Sequence, residues 1–155
     1  MPSRAGFTVL LVAVVALSML AWLMRSGGGP APKPAAFSSA VTLDVALQRS
    51  EQEGRPVLVF ATADWCGPCQ ALKRNALASS KIEQLIKGGT IPVYADVTGP
   101  DQVSIDTARR LRVGPIPALI VVWKGEELAR HEGNTSASNL EKWLETALSR
   151  TRSAG

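Results

Sequence analysis

The stretch ADWCGPCQ, residues 63–70, holds both cysteines of this 155-residue chain, Cys66 and Cys69. Two thiols separated by two residues serve either a metal site or a redox pair. A zinc site needs four ligands, but the chain has no third cysteine and a single histidine, His131, which falls in a predicted strand and is expected on the surface. A two-coordinate copper(I) site is the metal alternative that the two thiols leave open.

The segments on either side of the two cysteines favour electron transfer. The run VLVFAT, residues 57–62, is continuously apolar and rich in β-branched residues, which predicts a buried central strand. A helix is expected to begin at the cysteines, where Gly67 gives the backbone room and Pro68 suits the first turn. Free N–H groups and the helix dipole at this end stabilise a thiolate. We therefore expect Cys66 to act as the nucleophile and Cys69, one turn later on the same face, to close a disulfide with it.

The rest of the chain alternates between helical and strand patterns and predicts one α/β domain. Residues 42–54 form an amphipathic helix, capped by Thr42 and Gly54. The helix after the cysteines is expected to run to about Ala78, with a break near Ser79-Ser80. The order α-β-α-β-α-β-β-α predicts a mixed sheet covered by helices on both faces. The later segments are strand 90–97, helix 101–112, strand 117–123, strand 127–133 and helix 136–150.

The motif WCGPC, residues 65–69, resembles the active-site signature of thioredoxins, and the resemblance covers about residues 40–150. The segment RVGPIPALIVVWKGEE, residues 112–127, resembles the part of thioredoxins that carries a cis-proline facing the disulfide. This likeness implies a thioredoxin fold with a cis Ile116–Pro117 bond. Residues 46–77 and YADVTGPD, residues 94–101, look closer to the thioredoxin-like domain of DsbD-type transmembrane reductases and related exported proteins.

The resemblance implies a thiol:disulfide oxidoreductase that works through a mixed disulfide between Cys66 and a cysteine of a substrate protein. The Gly-Pro pair between the cysteines is similar to that of reducing thioredoxins, which favours the reductive direction. We expect no cofactor, cysteine-containing proteins as substrates, and a transmembrane partner as electron donor. The residues expected to contact substrate are Trp65, Gly67, Pro68, Ile116 and Pro117.

One residue departs from the thioredoxin pattern. Thioredoxins bury an acidic residue six positions before the nucleophile, where this chain has Phe60. An apolar neighbour disfavours a thiolate, although Phe60 also suits simple core packing. We expect Asp64 to be exposed, and Lys73 and Arg74 to be solvated.

The N-terminal residues predict a membrane segment. Residues 5–24 carry no charged side chain, and 20 helical residues span roughly 30 Å, the thickness of a bilayer's hydrocarbon core. A signal peptide cleaved near Ser18 is the competing interpretation. A basic start at Arg4 favours an N-terminus in the cytoplasm, which places the domain outside the inner membrane. The predicted division is an anchor or signal at 1–25, a Gly/Pro-rich linker at 26–37 that builds no core, a thioredoxin-like domain at 38–150 and a tail at 151–155.

Charge and methionine content limit the other functions. The net charge of +4 includes three basic residues in the first 35, so the remaining body carries 14 basic against 13 acidic side chains. This balance gives no electrostatic footprint for nucleic acid. A copper(I) or thiol–metal chaperone is a second hypothesis, disfavoured because all three methionines lie in the first 24 residues. A thioredoxin-fold holdase or assembly factor is a third.

Overall fold

The computed structural model describes residues 4–26 and 29–153, with side chains described at Thr8 and residues 10–21 of the first segment and throughout the second. Among these described residues, no helix is both long and apolar enough to cross a membrane. The helices are α1 (Arg4–Ser26), α2 (Leu43–Glu53), α3 (Gly67–Arg74), α4 (Ser80–Gly89), α5 (Gln102–Arg110) and α6 (Ala137–Ser153), and the strands are β1 (Val57–Thr62), β2 (Ile91–Asp96), β3 (Ala118–Trp123) and β4 (Glu126–Glu132). Short 3-10 turns cover Ala35–Phe37 and Ala76–Ala78.

The four strands form one mixed sheet in the order β2-β1-β3-β4. Strand β1 pairs in parallel with β2, and Phe60 lies opposite Tyr94. It pairs antiparallel with β3, which continues through a tight turn into β4. Lys124 and Gly125 have φ values of 52° and 82° in that turn, as a two-residue hairpin connection requires. The predicted mixed sheet is confirmed, and the central position of β1 explains why all six of its residues are buried.

Helices cover both faces of the sheet because side chains alternate along β1. Leu58 and Phe60 point to a core that is shared with α3, α4 and α6. Val57, Val59 and Ala61 point to the opposite core, which is shared with α2 and the segment after α5. The C-terminal end of β1 therefore lies between two packed layers, which hold the start of the segment with the two cysteines in place.

The helix boundaries confirm some predictions and correct another. Thr42 accepts a hydrogen bond from the Val45 amide and Gly54 ends α2 with a φ of 63°, as predicted. The helix after the cysteines ends at Arg74 rather than near Ala78. Asn75 leaves the helical conformation with φ −107° and ψ −85°. This earlier break turns the following 3-10 segment so that Ala76 and Leu77 enter the core.

The prediction that the linker at 26–37 builds no core is wrong from Ala31 onward. Ala31 and Ala36 are buried, and Phe37 beside them is fully buried. The Phe37 ring lies 5.4 Å from that of Phe60 and 6.0 Å from that of Tyr94. We call residues 29–37 the N-terminal strap, because they lie along the domain and complete its core.

Two tryptophans lie at the edge of the core. Trp123 and Trp143 are both half-buried. The ring of His131, on β4, packs 5.7 Å from that of Trp143. The histidine is thus half-buried rather than fully on the surface.

Candidate active site

The two cysteines lie where β1 ends and α3 begins, and they form a disulfide. Cys66 is the N-cap of α3, and its Sγ accepts a hydrogen bond from the Cys69 amide at 3.2 Å. Cys66 retains 6% exposure, whereas Cys69 has none. A sulfur at a helix N-terminus is where free N–H groups stabilise negative charge. The geometry therefore presents Cys66 to a partner and keeps Cys69 behind it.

The cis-proline segment faces this disulfide. The Ile116–Pro117 peptide is cis, and the Ile116 carbonyl oxygen lies 3.6 Å from Cys66 Sγ. Ile116 also packs with both cysteines, Ala63 and Val97. The cis bond implied by the resemblance is thus present, and it lies beside the sulfur expected to attack.

The other predicted contact residues surround the disulfide on the outer side. Trp65 is 69% exposed, and Gly67 and Pro68 are exposed in the first turn of α3. The structure therefore brings all the predicted site residues to one end of the domain. Their roles in substrate contact stay predictions.

Gln70 was missed by the sequence analysis, although it directly follows Cys69. Its side chain is buried, and Nε2 donates to the Ala63 carbonyl oxygen at 3.0 Å. Its Oε1 accepts a hydrogen bond from the Ala31 amide of the N-terminal strap at 2.6 Å. On the next turn, Arg74 donates to the Gly29 carbonyl oxygen at 2.7 Å. The strap is therefore bound directly to the helix that carries the cysteines, and no local signal in residues 29–37 predicts this.

The prediction that Lys73 is solvated is wrong. Its side chain is 1% exposed, and Nζ lies 3.3 Å from Oδ1 of Asp64, whose side chain is 36% exposed. Nζ also lies 5.7 Å from the ring centroid of Tyr94. Burial lowers the pKa of Lys73, but Tyr94 and Asp64 outweigh it and hold the pKa above its ordinary value. For Tyr94, burial raises the pKa above its ordinary value. At pH 7 the lysine is therefore charged and the phenol is neutral.

Phe60 has no exposed surface and occupies the position at which thioredoxins bury an acid. Its ring packs edge-on against Tyr94 at 5.8 Å. The packing interpretation of Phe60 is confirmed, while any effect on the thiols is untested.

The part of the chain that the structure describes contains no cluster of three or more histidine, cysteine or acidic side chains able to hold a metal. Within it, the two sulfurs are bonded to each other. What this arrangement can do chemically is exchange its disulfide with an external thiol or disulfide.

Known proteins share this fold. The thioredoxin-like family model matches residues 38–123, more than half of the chain. The chain belongs to the thioredoxin-like family. Together with the Cys66–Cys69 pair, this membership makes it a thiol:disulfide oxidoreductase that works by dithiol–disulfide exchange.

Among curated proteins, the chain is similar to the thiol:disulfide interchange protein DsbD of Salmonella choleraesuis, with 24% identity over 124 residues, 76% of this chain and 22% of that protein. The chain thus spans about a fifth of the length of this relative. Among solved structures, a thioredoxin from Thermus thermophilus has a TM-score of 0.62 at 23% identity and covers 73% of this chain and 90% of its own. The oxidised C-terminal domain of Neisseria meningitidis DsbD has a TM-score of 0.58 at 21% identity, and the match covers 68% of this chain and 92% of that domain. At these identities the structural likeness shows the fold.

Proposed function

We propose that this protein is a membrane-anchored thiol:disulfide oxidoreductase that reduces disulfides of exported proteins. The observation that carries the proposal is the asymmetry of the cysteine pair. Cys66 lies at the helix N-terminus with some exposed surface, and Cys69 lies fully buried one turn behind. Only a pair arranged in this way lets one thiol attack a large partner while the other waits to release it.

The reaction begins with the reduced pair. The Cys66 thiolate attacks one sulfur of a substrate disulfide, the substrate S–S bond breaks, and the departing substrate thiolate takes up a proton. Cys69 then loses its proton and attacks Cys66 Sγ, which breaks the mixed disulfide and releases the second substrate thiolate. Two electrons pass from the protein to the substrate, and the Cys66–Cys69 disulfide is the product.

Substrate contact falls to the residues around Cys66. The exposed Trp65 ring supplies an apolar surface next to the sulfur. The cis Ile116–Pro117 backbone also borders the sulfur, and the Ile116 carbonyl oxygen lies 3.6 Å from Cys66 Sγ. A substrate cysteine approaching between them meets the exposed Gly67, which has no side chain, and Pro68, whose ring is compact and rigid, so the approach is open.

The proposed direction is reductive because the dipeptide between the cysteines is the Gly-Pro of reducing thioredoxins. A reductase outside the cytoplasm has no access to cytosolic donors. It therefore needs electrons from a transmembrane partner that carries its own thiols. The similarity to DsbD, whose name describes thiol:disulfide interchange, supports a partner that exchanges thiols and disulfides.

The proposed anchor is α1. Its described apolar side chains are widely exposed, from 48% at Leu11 to 66% at Val12, and a continuous apolar surface of this kind needs a nonpolar environment. We propose a single-pass protein of the inner membrane with the domain facing the periplasm or cell exterior. Secretion after cleavage near Ser18 is the alternative, and a reporter fusion distinguishes it from an uncleaved anchor.

Mixed-disulfide trapping tests the chemistry. In Cys69→Ser, the mixed disulfide cannot be resolved, so we expect covalent adducts with substrate proteins that reductant releases. Cys66→Ser should form none and should lose insulin reduction. Preferential alkylation of Cys69 in the reduced wild-type protein at neutral pH would reverse the two roles.

Topology is tested separately. A reporter enzyme that is active only outside the cytoplasm, fused after Gly155, should be active and should stay with membranes at full length. A soluble exported product that begins near residue 19 would show cleavage, and an inactive reporter would show the opposite orientation.

A further inference from the structure

Lys73 is the one charged side chain that the structure buries, within the described residues. Its residue exposure is 4%, and the other buried polar residues are serine, threonine and glutamine. A buried charge is retained where it has a partner. The proposed reaction does not use Lys73, so its position on the redox helix calls for another role.

The ammonium group of Lys73 lies close to the redox loop. Lys73 follows Cys69 by four residues on α3, and residues so spaced share a helix face with Cβ atoms about 5–6 Å apart. Helical side chains tilt toward the helix N-terminus, which brings Nζ to Asp64 Oδ1 at 3.3 Å. Asp64 precedes Cys66 by two residues, which span at most about 7 Å. The i,i+4 spacing and the backward tilt of the side chain together place the ammonium on the order of 10 Å from the sulfurs.

The charges around Lys73 do not cancel at the cysteines. Asp64 contributes a carboxylate from the redox loop, and Tyr94 and Asp96 face the cluster from β2. Lys33 of the strap places its Nζ 4.9 Å from the Tyr94 ring, and Arg74, the next residue on α3, is exposed. The Asp64 side chain is 36% exposed and that of Lys73 is 1% exposed. Because solvent screens an exposed charge more than a buried one, we expect the Lys73 ammonium to outweigh the Asp64 carboxylate at the sulfurs.

We propose that Lys73 is a positioning residue for dithiol–disulfide exchange, whose buried ammonium stabilises the thiolate form of the cysteine pair while Asp64 limits the effect. The inference rests on the exchange chemistry proposed above. Strand β1 has Phe60 where thioredoxins have an acid, so Lys73, paired with the half-exposed Asp64, is the buried charge next to this redox centre. The ammonium acts through space on the sulfurs and makes no contact with substrate.

The expected effects have opposite signs for the two members of the pair. At an effective dielectric constant of about 20–40, a unit charge about 10 Å away shifts a thiol pKa by roughly one unit or slightly less. Lys73→Met, which keeps the length and removes the charge, should raise the Cys66 thiol pKa by about 0.5–1 unit. Asp64→Asn should lower it by a smaller amount, and the double variant should return close to wild type.

The test is a pH titration of thiolate ultraviolet absorbance in the reduced full-length protein in detergent. Lys142→Met is the matched control: it makes the same substitution at an exposed lysine of α6 and should leave the thiol pKa unchanged. Lys73→Arg keeps the charge and should keep the wild-type pKa. In glutathione buffers above the thiol pKa, Lys73→Met should shift the equilibrium toward the disulfide by about 3–10-fold, or roughly 15–30 mV.

If Lys73 and Asp64 had only a structural role, Lys73→Met and Asp64→Asn would shift the thiol pKa in the same direction, and that result overturns the proposal. So does an unchanged thiol pKa in a folded Lys73→Met protein. If Lys73→Met does not fold, Asp64→Asn decides the question, because a raised or unchanged thiol pKa in that variant contradicts the proposed net field. The titration needs no substrate, so failure of the wild-type protein to reduce insulin would refute the proposed function without changing this test.

Discussion

Replacing Phe60 with the acid that thioredoxins carry at this position should cost stability in a pH-dependent way. Phe60 has no exposed surface and packs against Phe37 and Tyr94. Removing a buried phenylalanine side chain costs about 3–5 kcal/mol. A carboxyl group buried there has its pKa raised by roughly 2–3 units, which at pH 7 adds about 3–4 kcal/mol. The sum of about 6–9 kcal/mol is comparable to the whole stability of a typical domain, about 5–15 kcal/mol.

The sign of the pH dependence follows from linkage. In Phe60→Asp, the introduced carboxyl has a folded-state pKa above its unfolded value, so the folded state binds the proton more tightly. Its penalty is therefore absent below about pH 4 and grows by about 1.4 kcal/mol per pH unit until the pH reaches the folded pKa. Phe60→Leu, which loses less packing and adds no charge, is the control. Subtracting its unfolding free energy at each pH cancels the pH dependence of the rest of the chain.

The assay is urea unfolding of Phe60→Asp and Phe60→Leu between pH 4.5 and pH 7. The gap in unfolding free energy between the two variants should widen by about 2–3 kcal/mol over this range. A gap that does not change with pH would refute the reasoning, because it would mean that the carboxyl stays ionised, paired with Lys73 or with water. On the folded fraction, insulin reduction then shows whether the acid speeds exchange; an unchanged rate would assign Phe60 to packing alone.

Two further predictions concern the polar contacts of the site. Gln70→Leu should destabilise the protein by about 2–4 kcal/mol in chemical denaturation, because it leaves the Ala31 amide and the Ala63 carbonyl without their buried partner. The control Gln84→Leu, at an exposed glutamine, should change the unfolding free energy by less than about 0.5 kcal/mol. Equal effects of the two substitutions would refute the bridging role of Gln70. The pKa of Tyr94 is raised by burial, so its contribution to the free energy of unfolding is full below its ordinary pKa of 10.0 and is lost as the pH rises through the folded value. Tyr94→Phe should therefore flatten the fall in stability above about pH 10. A fall above about pH 10 as steep as that of wild type would contradict this prediction.

Much of the fold could be predicted from local sequence. The apolar run at 57–62, the capping residues Thr42 and Gly54 and the hairpin turn at 124–125 each act within a few residues, so they determine elements wherever the chain folds. The cysteine spacing likewise places both thiols on one helix face. The helix break at Asn75 was placed about four residues too late, because residues 76–78 have good helical propensity and leave the helix only to bury Ala76 and Leu77 in the core.

The surroundings of the cysteines could not be predicted in this way. Lys73 lies on a short helix whose polar residues all look solvated, and its burial depends on Tyr94 from another strand and Asp64 from the preceding loop. The strap at 29–37 has a composition typical of a linker. Its order comes from Gln70 and Arg74, about 40 residues later in the chain.

The sequence by itself determined the redox chemistry, because two cysteines at a helix start need only local geometry to become a nucleophile and its resolving partner. It also determined the α/β order, through periodicity and turn residues. Only the tertiary structure decided which sulfur is exposed, which charge lies beneath the pair and what holds the redox helix in place. Burial and long-range electrostatics depend on segments that meet only after folding, and no short window of sequence contains both members of such a pair.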